Sequence, residues 1–296
     1  MTLIRRTSRG CTLFALVVVL EFALSVESAA AEPAVEIVRN KVYVQRESGP
    51  LAADVYIPRG AGPFPAMLVV HGGAWRFGSR SQLAAAAVAL AENGYTAVAI
   101  SYRLAPAHTF PAQLYDCQAA VRWIRANAGE IKVDPARIGG FGYSAGGHLV
   151  ALLGTLDEDQ LREPGTPADA PSARLQAVVA GGAPCDFRLM PPNNSGLAYW
   201  LGGTRGGRPD VYRDASPASF ITPDDPPMFF FHGEKDELVP VGNPKAMVTQ
   251  LAGQGIKAEI HVVPNAGHLQ TITDREALAK VLSFVDGHLK VERHAK

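Results

Sequence analysis

The chain has 296 residues, 47% of them hydrophobic and 19% charged, which fits one large packed domain better than two small ones. Lysine plus arginine equals aspartate plus glutamate at 28 each, so no summed field favours nucleic acid or an anionic membrane as a partner. The chain opens with Arg5, Arg6 and Arg9 ahead of an apolar run from Leu13 to Leu24, and Ala29 and Ala31 form a small-x-small cleavage signal. Residues 1–31 therefore read as a signal peptide and residues 32–296 as the mature domain, periplasmic or secreted. The run is broken by Glu21 and falls short of the roughly 20 apolar residues that span a bilayer, so no stable membrane insertion is expected after cleavage. The Arg5–Arg6 pair also admits twin-arginine export, although the residues after it fit that pattern poorly.

Beyond the leader, apolar β-branched segments alternate with longer helical patterns, the mark of an α/β domain with a parallel sheet wrapped by helices. Val35 to Val44 and Leu51 to Ile57 predict an opening antiparallel pair, closed by Pro58 and Gly60. Strand Phe64 to Val70, helix Ser81 to Glu92 and strand Thr96 to Tyr102 then make a β-α-β unit. Leu114, Cys117, Val121 and Ile124 recur at helical spacing within 111–126, and Arg137 to Phe141 is a short strand feeding a glycine-rich turn and a helix through Leu149 to Leu153. Strands at Leu175 to Val179, Met228 to Phe231 and Ala258 to Val263, a helix near Lys245 to Leu251 and a last helix from Asp274 to about Leu289 complete roughly eight strands. The segment 184–227 is rich in Pro, Gly and Asn and longer than a simple connection, so it predicts short helices covering one face of the sheet.

Cys11 leaves with the leader, and Cys117 and Cys185 remain. They could pair in an oxidising compartment, but a domain of this size needs no staple, and two buried free thiols are the preferred reading. No pair of histidines or cysteines has metal-ligand spacing, and no cofactor is called for.

GYSAG at 142–146 fits the GxSxG nucleophile elbow, with a predicted strand before it and a predicted helix after it. Glycines on either side let the chain turn sharply and hold Ser144 exposed. A serine hydroxyl is a weak nucleophile, so a base must take its proton and a carboxylate must orient the base, in the chain order serine, acid, histidine. His268, in PNAGH between the last strand and the last helix, is the candidate base. His261 falls inside a strand, His148 one turn into a helix, and His288 and His294 near the tail. Asp236 of HGEKDELVP is the preferred acid over Glu234. HGGAW at 71–75 follows a buried strand in the position of an oxyanion loop, where glycine lets backbone amides approach the developing charge. The donors assigned are the amides of Gly73, Ala74 and Ala145, with Gly72 able to replace one of them, and His71 is expected to brace the loop. Trp75, Tyr143 and Trp200 are candidates for the substrate pocket.

HGGAW, SYRLAP at 101–106, GYSAGG, SPASFITPDDPP, HGEKDELVP and NAGH together make the chain resemble the α/β-hydrolases grouped with bifunctional acetyl and feruloyl carbohydrate esterases and with hormone-sensitive-lipase-like bacterial esterases. The resemblance implies an α/β-hydrolase fold, a mostly parallel sheet of about eight strands with helices on both faces, and a serine carboxylesterase acting on short acyl esters, acetyl or feruloyl groups on carbohydrate among them. Two departures from the lipase-like branch, Ala74 where HGGG is usual and Tyr143 where an aspartate precedes the serine, point toward the carbohydrate-esterase branch. HGGxW is also the oxyanion motif of kynurenine formamidases, which keeps an arylformamidase-type amidase open as an alternative. A non-catalytic binding module of the same fold would be expected to have lost a triad residue, and none is missing.

Overall fold

The computed structural model describes residues 34–157 and 159–290; the predicted leader lies outside them, as does His294. Within those residues eight strands form one sheet in the order β1-β2-β4-β3-β5-β6-β7-β8. They are β1 (Val35–Arg46), β2 (Gly49–Pro58), β3 (Phe64–Val70), β4 (Thr96–Ile100), β5 (Val133–Tyr143), β6 (Ala177–Gly181), β7 (Met228–Gly233) and β8 (Ala258–Val263). β1 and β2 pair antiparallel, β2 joins β4 antiparallel, and every pairing from β4 to β8 is parallel.

Helices cover both faces because the central strands are apolar on both sides, and a parallel sheet survives only when neither face meets water. In β3, every residue after Phe64 is buried. Helices α1 (Ala84–Glu92), α2 (Ala112–Ala126) and α3 (Ala145–Thr155) follow β3, β4 and β5 in turn. The helices α4 (Ala198–Leu201) and α5 (Pro209–Asp214) lie in the long irregular segment, and α6 (Gly242–Gly253), α7 (His268–Thr271) and α8 (Arg275–Val285) complete the set. Leu114, Leu149, Met247 and Leu251 place α2, α3 and α6 in one core, which also takes Trp200 and Tyr212 from the irregular segment. Leu90 and Val281 place α1 and α8 in the other. Both cores are made of strand residues that alternate, such as Leu68 against one and Met67 against the other, as the two-residue period of a strand requires.

The predicted elements are all found, with shifted ends. The first turn of the α1 region is a 3₁₀ turn, Arg80–Leu83, and β5 begins ahead of the predicted Arg137 because Val133 already pairs with Phe64 of β3. Cys117 and Cys185 are both buried and unpaired. No helix among the described residues is long and apolar enough to cross a membrane.

What the fold does for the site is to bring the loops after β3, β5, β7 and β8 to the carboxyl ends of the parallel strands, where open α/β sheets gather their ligands.

Candidate active site

Ser144 stands between the end of β5 and the start of α3 with φ 55° and ψ −119°. That backbone is costly for a side-chain-bearing residue, by about 1–3 kcal/mol, and persists because its surroundings fix it. Its amide donates to Gly181 O at 2.7 Å, and its carbonyl accepts from His148 N at 2.9 Å. Glycine at 146 is obligatory: a Cβ there would fall 1.9 Å from Val70 O, so α3 can lie against the end of β3 only without one.

The loop after β3 turns through three successive left-handed residues, Gly73 (φ 106°), Ala74 (φ 51°) and Trp75 (φ 56°). Gly73 O accepts from both Arg76 N and Phe77 N at 2.9 Å, which closes the turn. A Cβ on Gly72 would meet the Ser144 Cβ at 3.2 Å, so the loop passes directly beside the nucleophile. Among the described residues no protein acceptor takes the amides of Gly73, Ala74 or Ala145. His71 stacks on Tyr102 with ring centroids 4.1 Å apart, and burial pushes its pKa down to about 4, so its neutral ring donates from Nδ1 to Gly72 O at 2.7 Å. Tyr199 adds a strut, its hydroxyl donating to Ala74 O at 2.7 Å. No motif marks Tyr199 in the sequence; only the folding back of 184–227 brings it there.

Asp236 lies on the loop between β7 and α6, and His268 is the first residue of α7. His268 donates from Nδ1 to Asp236 Oδ2 at 2.6 Å, which leaves Nε2 as the acceptor a serine proton needs. The other oxygen, Oδ1, accepts from Leu238 N at 3.0 Å and Val239 N at 2.8 Å. The Asp236 side chain is fully buried, so this carboxylate is held wholly by protein donors. His232 Nε2 also lies 3.1 Å from Oδ2. Glu234, the rival acid, instead accepts from Asn265 N at 2.9 Å and steadies the loop that carries the histidine.

The competing histidines have other partners. His148 is wholly buried between Trp75 Nε1, which donates to its Nδ1 at 3.2 Å, and Ala215 O, which accepts from its Nε2 at 2.7 Å. His261 meets Lys280, and His288 meets Phe284 O.

Ser144 and His268 line one cavity of about 510 Å³ together with Ala74, Trp75, Phe187 and Tyr199. Of the three expected pocket residues only Trp75 is on its wall. Trp200 is fully buried, stacked on Trp75 at 3.6 Å with its Nε1 donating to Gln113 Oε1 at 3.0 Å, and so backs the wall without reaching the cavity. Tyr143 also turns away, packing its ring 5.4 Å from that of His268 and donating its hydroxyl to His268 O. Alternation along β5 explains this, because the residue before the elbow points to the face opposite the one its neighbour serves. Among the described residues no group of three or more His, Cys, Asp or Glu is placed to hold a metal ion.

Comparison with known proteins gives a consistent set. The BD-FAE family model matches residues 53–251. The probable carboxylic ester hydrolase LipM of Mycobacterium tuberculosis is 36% identical over 187 residues, 61% of this chain and 43% of that protein. The chain spans about half the length of the curated relatives it matches. Among solved structures, a truncated carbohydrate esterase from gut microbiota superposes with a TM-score of 0.79 at 26% identity, covering 88% of this chain and 99% of that one. Thermogutta terrifontis esterase 2 phosphorylated by paraoxon gives 0.69 at 26% identity, covering 86% and 93%.

Proposed function

Since the chain belongs to the BD-FAE family, we propose that it is a serine carboxylesterase that removes short acyl groups, acetyl or feruloyl groups on carbohydrate among them, through an acyl-serine intermediate. One observation carries the reading. Ser144 and His268 open onto a single cavity, with the Asp236 carboxylate 2.6 Å behind His268 Nδ1 and unpartnered amides in the loop beside the serine.

Chemically, Ser144 Oγ attacks the ester carbonyl while His268 Nε2 takes its proton. The carbonyl oxygen becomes an oxyanion held by the amides of Gly73, Ala74 and Ala145, which need no reorganisation because no acceptor among the described residues engages them. Asp236 stabilises the imidazolium without taking its proton. As the C–O bond to the alcohol breaks, Nε2 returns the proton to the leaving oxygen. Water then attacks the acyl-serine, giving its proton to Nε2; the acid departs and Ser144 recovers its hydrogen.

Similarity to a carbohydrate esterase supports a sugar-borne acyl group, and the paraoxon adduct of the Thermogutta enzyme supports a nucleophile that organophosphates can label. The leader-like residues 1–31 support export. The test is a set of initial rates for wild type and Ser144→Ala on p-nitrophenyl acetate, butyrate and octanoate, acetylated xylan, methyl ferulate and N-formylkynurenine, with paraoxon labelling read by mass. Acetyl or feruloyl preference, a silent variant and a label confined to Ser144 are expected. Dominant turnover of N-formylkynurenine replaces the reading with the amidase, and a variant as active as wild type removes Ser144 from the mechanism.

A further inference from the structure

His232, the penultimate residue of β7, has its side chain fully enclosed, and no step above uses it. Its Nε2 lies 2.7 Å from Val239 O and 3.1 Å from Asp236 Oδ2. Both neighbours are acceptors, so Nε2 must carry the hydrogen. Its other nitrogen, Nδ1, is buried with no hydrogen-bond partner, which fits a neutral ring, and burial lowers the pKa of this group. A buried ring nitrogen without a partner carries a desolvation cost that the other contacts of the ring must offset. The gain lies on the other side of the ring.

We propose that His232 is a positioning residue for the acid: its Nε2–H holds the carbonyl of Val239, the residue whose amide holds Asp236 Oδ1, and its positive edge faces Asp236 Oδ2, keeping the carboxylate where it meets His268. The inference rests on the reading of Ser144, His268 and Asp236 as the triad.

The geometry explains why the turn needs a further anchor. Oδ1 is anchored by two amides from its own turn, Leu238 N and Val239 N, so the turn and the carboxylate move as one body. Oδ2 is pulled by His268, which belongs to a different loop and must be free to change charge during the reaction. His232 is on neither loop. It stands on the strand that carries the turn, and by holding Val239 O while its ring edge lies 3.1 Å from Oδ2 it references the carboxylate to the sheet. Backbone bonds from Asp236 N to Gly233 O and from Lys235 N to Ala266 O hold the start of the turn; without His232 its far end at Val239 swings more freely, and a small swing of Asp236 lengthens the bond that orients the base.

The experiment measures kcat and KM on p-nitrophenyl acetate, with thermal melts, for wild type, His232→Leu, His232→Gln, Asp236→Ala and the Leu/Ala double variant. His232→Leu is expected to lower kcat by about 10-fold, the worth of one hydrogen bond, with KM within about twofold. His232→Gln, whose amide N–H extends to the position of Nε2, should recover most of that loss. In the Asp236→Ala background His232→Leu should cost nothing more, because His232 acts only through the acid. A His232→Leu loss that repeats in full on Asp236→Ala, an unimpaired His232→Leu, or no rescue by glutamine each overturns the proposal. Where the leucine variant does not fold, His232→Asn, whose shorter amide cannot reach either acceptor, supplies the same comparison. A fully active Asp236→Ala sinks the triad itself and is read separately from any effect of His232.

Discussion

His148 donates from Nε2 to Ala215 O and accepts from Trp75 at Nδ1, so both nitrogens are satisfied only when the ring is neutral. Burial holds its pKa down to about 4 from an ordinary 6.5. Between these values the unfolded chain binds a proton that the folded one does not. Its contribution to stability is therefore complete above about pH 6.5 and is lost as the pH falls toward 4, by about 3 kcal/mol in all. His148→Gln should lose less Tm between pH 7 and pH 5 than wild type does. Asp225, raised to about 6 by burial, acts with the opposite sign but is the same in both proteins. Equal slopes in the two melts would remove His148 as the source. Asp236→Asn should leave the fold intact and cut kcat by about 10³–10⁴-fold, since a neutral amide cannot steady the imidazolium; a loss below tenfold would place the acid elsewhere. At this scale the placement of Ser144, Asp236 and His268 around one cavity is legible in the sequence because each follows a recognisable strand end in a fixed chain order. Tyr143 and Trp200 are not: an aromatic residue near a motif reads the same whether it faces the cavity or, as both do, stands behind its wall.

Strand β3 and helix α2 are read from the sequence almost residue for residue, because an all-apolar run and a 3.6-residue period leave little choice. The irregular stretch between β6 and β7 is legible only as a cover. Which of its residues reach the site depends on how α4 packs, and no local pattern encodes that Tyr199 meets Ala74 O or that Trp200 lies flat beneath Trp75. This stack limits the depth of the cavity on the side of the oxyanion loop. Trp75→Gly suits the left-handed backbone there (φ 56°) and opens that wall, so the ratio of kcat/KM for p-nitrophenyl octanoate over acetate should rise by at least about tenfold. The variant should also be less stable by about 3–5 kcal/mol, and an unchanged ratio would mean that acyl chains enter elsewhere.

The three tryptophans, Trp75, Trp123 and Trp200, all belong to or pack against the core that holds α2 and α3. His268 instead hangs from β8, an edge strand paired only with β7. Edges open before centres, so in a urea titration activity should vanish at a lower concentration than tryptophan fluorescence changes. Superimposable curves would show that the sheet opens as one unit. The whole-molecule order of strands is itself not legible from periodicity, which sees elements but not their neighbours; it follows here from the elbow and oxyanion motifs, whose arrangement belongs to one fold.

The spacing of the site along the chain has a last consequence, for timing. The oxyanion loop closes at Trp75, the nucleophile comes at 144, and the base waits until 268, past the final strand. A chain still on the ribosome thus carries a serine no more reactive than free serine. The order in which the residues arrive keeps the chemistry proposed here silent until the last strand has been made.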